Sequence, residues 1–164
     1  AVCRGVHTLH GDQTIAAVSY LIPIVFIVLV LDRASKAAAV AVLAGGREIA
    51  VVPGALHLNL VLNKGAAFGL FSRATPLLIL FAVMSVFIIV VYLRRGRAPD
   101  RMTAVSMAMI LGGAVGNLAD RVLYGHVIDF IDIRVWPVFN AADSFITIGA
   151  AILIWKLAFG REPK

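Results

Sequence analysis

Four stretches of the chain are dominated by apolar side chains: residues 15–31, 77–93, 102–119, and a last one at about 141–159. Each is long enough as a helix to cross a hydrocarbon layer of about 30 Å at about 1.5 Å per residue. The pattern therefore predicts four membrane-spanning helices. Two of them are unusual. The third run holds Gly112, Gly113 and Gly116, and the fourth opens beside Asn140 and Asp143. A Gly112/Gly116 step of the GxxxG type lets helix backbones approach closely in lipid.

The segment between the first two runs, residues 32–75, is too long for a plain connector and too apolar for a disordered one. Residues 32–43 are alanine-rich and extend the first helix until Gly45 and Gly46 break it. From residue 48 to 62 the text EIAVVPGALHLNLVL alternates in β-branched and leucine positions, which predicts two short strands around a Pro53-Gly54 turn. The expected fold is thus an all-α membrane protein of one domain, four helices with a small β-sheet and a short helical extension on the outer face. Residues 120–139 are expected to form an outer loop, and residues 1–13 are set aside from the fold. The first run is expected to be an uncleaved span, because it lacks a small-residue cleavage site.

Composition supports the bilayer as solvent: 61% of the residues are hydrophobic, and the mean hydropathy is +0.95. The net charge of +6 sits on basic residues scattered among apolar runs, which suits anionic lipid headgroups better than nucleic acid. Arg94, Arg95, Arg97 and Arg101 fall in the loop between the second and third runs, so that loop is expected to be cytoplasmic, with both termini on its side. A lone cysteine, Cys3, excludes an internal disulfide framework.

Topology then gathers the polar residues. The end of the first span, the end of the third and the start of the fourth share the outer surface, which brings Asp32, Asn117, Asp120, Arg121, Asp129, Asn140 and Asp143 into one layer. Ionisable groups at membrane depth are costly, so such a cluster is a candidate site. Two carboxylates held close in a low dielectric cannot both ionise, which leaves one proton donor and one acceptor at neutral pH. Other chemistries fit less well. His7, His10, His57 and His126 are dispersed without metal-ligand spacing, and Ser35 beside Lys36 would point about 100° away from it on a helix.

The blocks LDRASK (31–36), NKGAAFG (63–69), GGAVGNLADRV (112–122), GHVIDF (125–130) and FNAADSFITIG (139–149), in that order, resemble the lipoprotein signal peptidase family, signal peptidase II. The resemblance implies an aspartyl peptidase of the bacterial cytoplasmic (inner) membrane. Its substrates would be prolipoproteins carrying a diacylglyceryl-modified cysteine, with membrane lipids as further partners and no nucleic acid. It further implies a monomer needing no cofactor or metal. Carried over, the catalytic pair is Asp129 and Asp143. Asp32, Lys36, Asn63, Gly65, Asn117, Asp120, Arg121 and Asn140 are binding or supporting residues, with Arg121 helping to hold the substrate backbone. Plainer roles compete for some of them: Asp32 and Lys36 as a local i,i+4 ion pair, Asn117 and Arg121 as a helix-end cap, Phe68 as core. Asp132 is expected to be a solvated loop residue. The rivals from other classes are a small transporter or channel binding a cation or proton at its outer carboxylates, and a non-catalytic assembly subunit.

Overall fold

The structure, a computed structural model, describes residues 5–65, 75–94 and 99–160. Seven elements follow one another: α1 (Gly5–Leu43), β1 (Ile49–Val52), β2 (Leu56–Asn63), α2 (Thr75–Arg94), α3 (Arg101–Tyr124), β3 (Val127–Asp132) and α4 (Ala141–Phe159). The first predicted helix and its alanine-rich continuation are one element. At 39 residues α1 is about 58 Å long, well beyond a hydrocarbon layer. It ends where the sequence breaks it, at Gly45 and Gly46, both in the left-handed region with φ near 80°.

α3 is the central helix, packed against α1, α2 and α4. Its glycines explain how. A methyl group on Gly112 would lie 2.8 Å from the Val28 side chain, one on Gly113 2.5 Å from the Ala142 carbonyl oxygen, and one on Gly116 2.7 Å from the Asp32 carboxylate. α3 can therefore lie directly on both α1 and α4 only because these positions lack a Cβ. The GxxxG step serves close packing, as its sequence suggested, and at Gly116 it admits a carboxylate.

Among the described residues, α3 and α4 are long and apolar enough to cross a membrane. α1 and α2 carry outward-facing apolar side chains, including Ile22, Phe26 and Ile27 on the first and Val83, Phe87 and Ile88 on the second.

The sheet is antiparallel in the order β1-β2-β3. The two predicted strands meet at a Pro53-Gly54 turn closed by Ala55 N–H donating to Val52 O at 3.0 Å, with Gly54 at φ 78° as the third position of a type II turn requires. The third strand departs from the expected loop. α3 runs on to Tyr124, stops at Gly125 with φ 72°, and the chain returns as β3 beside β2. The text VIDFID hides its strand because each face carries a buried acid, Asp129 on one and Asp132 on the other. A period-2 apolar pattern is therefore missing. Phe130 from β3 packs with Ala39 and Leu43 of α1, so the long extension of α1 is the floor on which the sheet rests.

Candidate active site

α4 begins with a capping box. Asn140 accepts the Asp143 backbone N–H on its side-chain oxygen at 3.0 Å, and the Asp143 carboxylate accepts the Asn140 backbone N–H at 3.2 Å. Local helix-start chemistry thereby fixes Asp143 at the first turn. Asp129 arrives from β3, paired opposite Val61 of β2, at the place where β2 carries an extra residue relative to its partner.

Three asparagines join the two acids. Asp129 accepts Asn140 Nδ2 at 2.6 Å on one oxygen and Asn63 Nδ2 at 2.8 Å on the other. Asp143 accepts Asn117 Nδ2 at 2.7 Å beside the Asn140 backbone N–H. Each amide is oriented by something else. Gly65 N–H donates to the Asn63 oxygen at 2.9 Å, Asp143 N–H to the Asn140 oxygen, and the Lys36 ammonium to the Asn117 oxygen at 3.0 Å. With its oxygen claimed, each amide turns its N–H₂ toward a carboxylate. All four carboxylate oxygens are thus held by uncharged N–H donors.

Behind Asn117 lies a second group of charges. Asp32, Lys36 and Asp120 are at most 1% exposed. Lys36 Nζ pairs with Asp32 at 2.9 Å and with Asp120 at 2.7 Å, and Arg33 pairs with Asp120 and, at 3.5 Å, with Asp32. Two cations balance two anions. Asp32 also accepts the Ala142 N–H at 3.2 Å, so it holds the first turn of α4 against α1. The Asp32–Lys36 pair is therefore no local surface pair but the centre of a buried network. Arg33 is the member that sequence reasoning missed, although it stands in the LDRASK block.

Asp129, Asp143, Asn63, Gly65 and Arg121 line one cavity of about 200 Å³ together with Val127 and Trp136–Phe139. Arg121 is half-buried and donates to the Asn117 carbonyl at 3.3 Å, so it braces the end of α3 while facing the acids. Burial pushes the Asp129 carboxyl up to about 6, and the neighbouring Asp143 charge pushes the same way against the Asn63 and Asn140 hydrogen bonds.

Asp132 corrects an expectation. It is 7% exposed at the end of β3, accepting Arg134 N–H at 2.7 Å and Asn59 Nδ2 at 2.9 Å, and it lines no part of the cavity. The Arg134 backbone hydrogen bond holds its carboxyl below the usual carboxylate range. Ser35 donates to the Asp32 carbonyl at 3.0 Å while Lys36 is committed elsewhere, so the two do not face each other as nucleophile and base. Phe68 lies outside the described residues.

The fold is shared with solved membrane enzymes. One, a bacterial membrane enzyme determined by the in meso method at 2.3 Å resolution, superposes with a TM-score of 0.75 at 28% identity, covering 89% of this chain and 94% of that one. Another, determined by the same method at 1.9 Å, gives 0.77 at 28% identity, covering 87% and 95%. Residues 24–159 match the family model described as "Signal peptidase (SPase) II". The lipoprotein signal peptidase of Pelotomaculum thermopropionicum is 41% identical over 138 residues, 84% of this chain and 91% of that protein. That of Halothermothrix orenii is 39% identical over 134 residues, 82% and 92%. The chain belongs to the signal peptidase II family, and is by that membership a peptidase of membrane type.

Proposed function

We propose that the chain is an aspartic endopeptidase that cleaves signal peptides from diacylglyceryl-modified prolipoproteins on the N-terminal side of the lipidated cysteine. The observation that carries this is the pair Asp129 and Asp143 on one cavity, each oxygen held by a neutral amide. A neutral donor fixes a carboxyl group without supplying the full charge that would keep both acids ionised. Arg121 at the cavity and Lys36 behind Asn117 are the cations whose charge reaches the pair, and neither donates a hydrogen bond to it directly among the described contacts.

In the proposed cycle the ionised member accepts a proton from a water as that water attacks the scissile carbonyl. The protonated member hydrogen-bonds the carbonyl oxygen and then delivers its proton to the leaving amine. Asp129, whose carboxyl is pushed up to about 6, is assigned the resting proton. Arg121 holds a substrate backbone carbonyl. Asn63, Asn117 and Asn140 keep the acids aimed, and Asp32, Lys36 and Asp120 support Asn117 from behind. The carboxyl pair supplies both acceptor and donor, so the scheme invokes no cofactor or metal.

The chain is proposed to act as one domain and a monomer, spanning the bacterial inner membrane four times through α1 to α4 with both termini cytoplasmic and the cavity near the outer face. The apolar belts of α1 and α2, beside the two helices that qualify by length and composition, support four crossings. Membership in a peptidase family weighs against the transporter and assembly-subunit alternatives.

The test is direct. Purified protein is incubated with a diacylglyceryl-modified prolipoprotein peptide, and the products are sequenced from their N-termini. A new terminus at the modified cysteine is expected from the native protein and from Asp132→Asn, but not from Asp129→Asn or Asp143→Asn. Equal cleavage by all four proteins would reject the assignment.

A further inference from the structure

The segment after β3 supplies one wall of the catalytic cavity through Trp136, Pro137, Val138 and Phe139. Packing does little to hold it, since Val135 is 86% and Trp136 62% exposed. Its far end is pinned by the backbone: Phe139 N–H donates to the Ile131 carbonyl at 3.0 Å, and the Phe139 carbonyl accepts Ile131 N–H at 2.8 Å. Its near end hangs on Arg134, which sits at φ 64°, alone among the described non-glycine residues in having positive φ. Such a conformation persists only where the surroundings hold it. The Arg134 backbone N–H donates to Asp132 at 2.7 Å, its guanidinium pairs with Glu48 and, at 3.4 Å, with Asp132, and its Nε donates to His57 Nδ1 at 2.9 Å.

This clamp depends on the state of the histidine. A guanidinium nitrogen only donates, so His57 Nδ1 carries no proton, and the neutral ring keeps its hydrogen on Nε2, 3.8 Å from Glu48. His57 is buried and stands opposite Ala50 of β1 and Asp132 of β3. Neighbouring Leu58 packs instead with Ala39 and Leu43 of α1. Among the described residues, the charged groups that face the ring are therefore Glu48 before β1, Asp132 at the end of β3 and Arg134 itself. With the ring neutral, one cation faces two anions. A second positive charge would balance that count, so both acids favour a proton on the ring. The new N–H would, however, point straight at Arg134 Nε.

We infer that Arg134 and neutral His57 are positioning residues for the wall of the catalytic cavity, and that protonation of His57 releases the clamp. The imidazolium takes over the acids, and Arg134 Nε loses its acceptor. An imidazole is the side chain that ordinarily gains its charge between about pH 5 and pH 8, and on the topology proposed above the sheet meets the medium outside the cell. The wall is thus firm in neutral surroundings and loose in acid. Its effect on substrate rests on the peptidase function proposed above; its movement does not.

Two readouts test this. The chain has two tryptophans, so Trp155→Phe leaves Trp136 to report on the wall alone. Its fluorescence anisotropy is measured in lipid at pH 7.5 and pH 5.5, in that background and with His57→Asn or Arg134→Gln added. Asparagine's Oδ1 takes the place of Nδ1, accepts from Arg134 and never gains a proton. Anisotropy is expected to fall in acid with His57 present, to stay level with His57→Asn, and to be low at both pH values with Arg134→Gln. No fall in acid, or an equal fall with His57→Asn, overturns the switch. High anisotropy with Arg134→Gln at pH 7.5 overturns the clamp. In cleavage assays, KM is expected to rise between pH 7.5 and pH 5.5 about fivefold or more beyond its rise in His57→Asn, with the same pH profile of kcat in both. Equal KM profiles overturn the positioning role. No cleavage by the native protein at any pH would instead reject the peptidase function, and the anisotropy would still decide the switch.

Discussion

Two pairs of carboxylates lie a few residues apart in this molecule and are treated in opposite ways. Asp32 and Asp120 are sealed against two full cations, Lys36 and Arg33. Among the described residues, the hydrogen bonds to Asp129 and Asp143 come from amide N–H groups, and the two acids open onto a cavity. The first arrangement matches each acid with full opposite charges in a sealed network. The second aims them and leaves their proton free to move. Asn117 joins the two, taking the Lys36 ammonium on its oxygen and giving its N–H to Asp143, so the rigid charges orient the labile ones through an uncharged amide.

The contrast breaks most visibly on activity. Asp143→Asn is expected to lower cleavage by about 10³-fold or more, the scale of a lost general acid or base, while the folded protein survives, since asparagine can still accept at the α4 cap. Retention of cleavage within tenfold would make the pair no different from its buried neighbours. The buried side breaks on stability. Lys36→Met leaves two carboxylates facing one partly exposed Arg33, and a loss of about 3 to 5 kcal/mol is expected from thermal unfolding in detergent. Adding Asp32→Asn to Lys36→Met should restore part of it; no recovery would show that packing, not charge, holds the site.

A smaller effect sharpens the comparison through pH. Asp129 titrates at about 6 in the folded chain against about 3.9 in the unfolded one. Its folded value is raised, so the unfolded state releases its proton first. The associated stability is full below pH 4 and is lost as pH rises through 6. The melting temperature of the native protein should therefore fall relative to Asp129→Asn between pH 4 and pH 7, by the equivalent of about 2 kcal/mol; parallel curves would mean that burial does not hold a proton on Asp129. Smallest is Asp132→Asn, which weakens the Arg134 clamp and is expected to cost about 1 kcal/mol with cleavage largely retained.

Much of the scaffold was legible because its signals are local. The apolar runs, the Gly45-Gly46 stop and the Pro53-Gly54 turn each depend on a few adjacent residues. The ten candidate site residues came from topology and family likeness, and the structure places all of them in the connected layer around Asn117 and the cavity. What escaped notice depends on distant partners. β3 is a strand because β2 and Phe139 pair with it, not because VIDFID alternates. Asp132 is buried because Arg134 and Asn59 reach it, although its sequence context looks like a loop. Arg33 reaches an acid 87 positions away, a pairing no spacing rule contains.

Counting the proton on the pair tests the central claim most directly. In protein carrying isotope-labelled aspartate carboxyls in lipid, infrared difference spectra would be recorded from pH 4 to 9 for the native chain, Asp129→Asn and Asp143→Asn. One protonated carboxyl titrating near pH 6, absent in Asp129→Asn and shifted to lower pH in Asp143→Asn, is the expected result. An Asp129 carboxyl that is already ionised at pH 5 in the native chain, and unmoved by loss of Asp143, would contradict it.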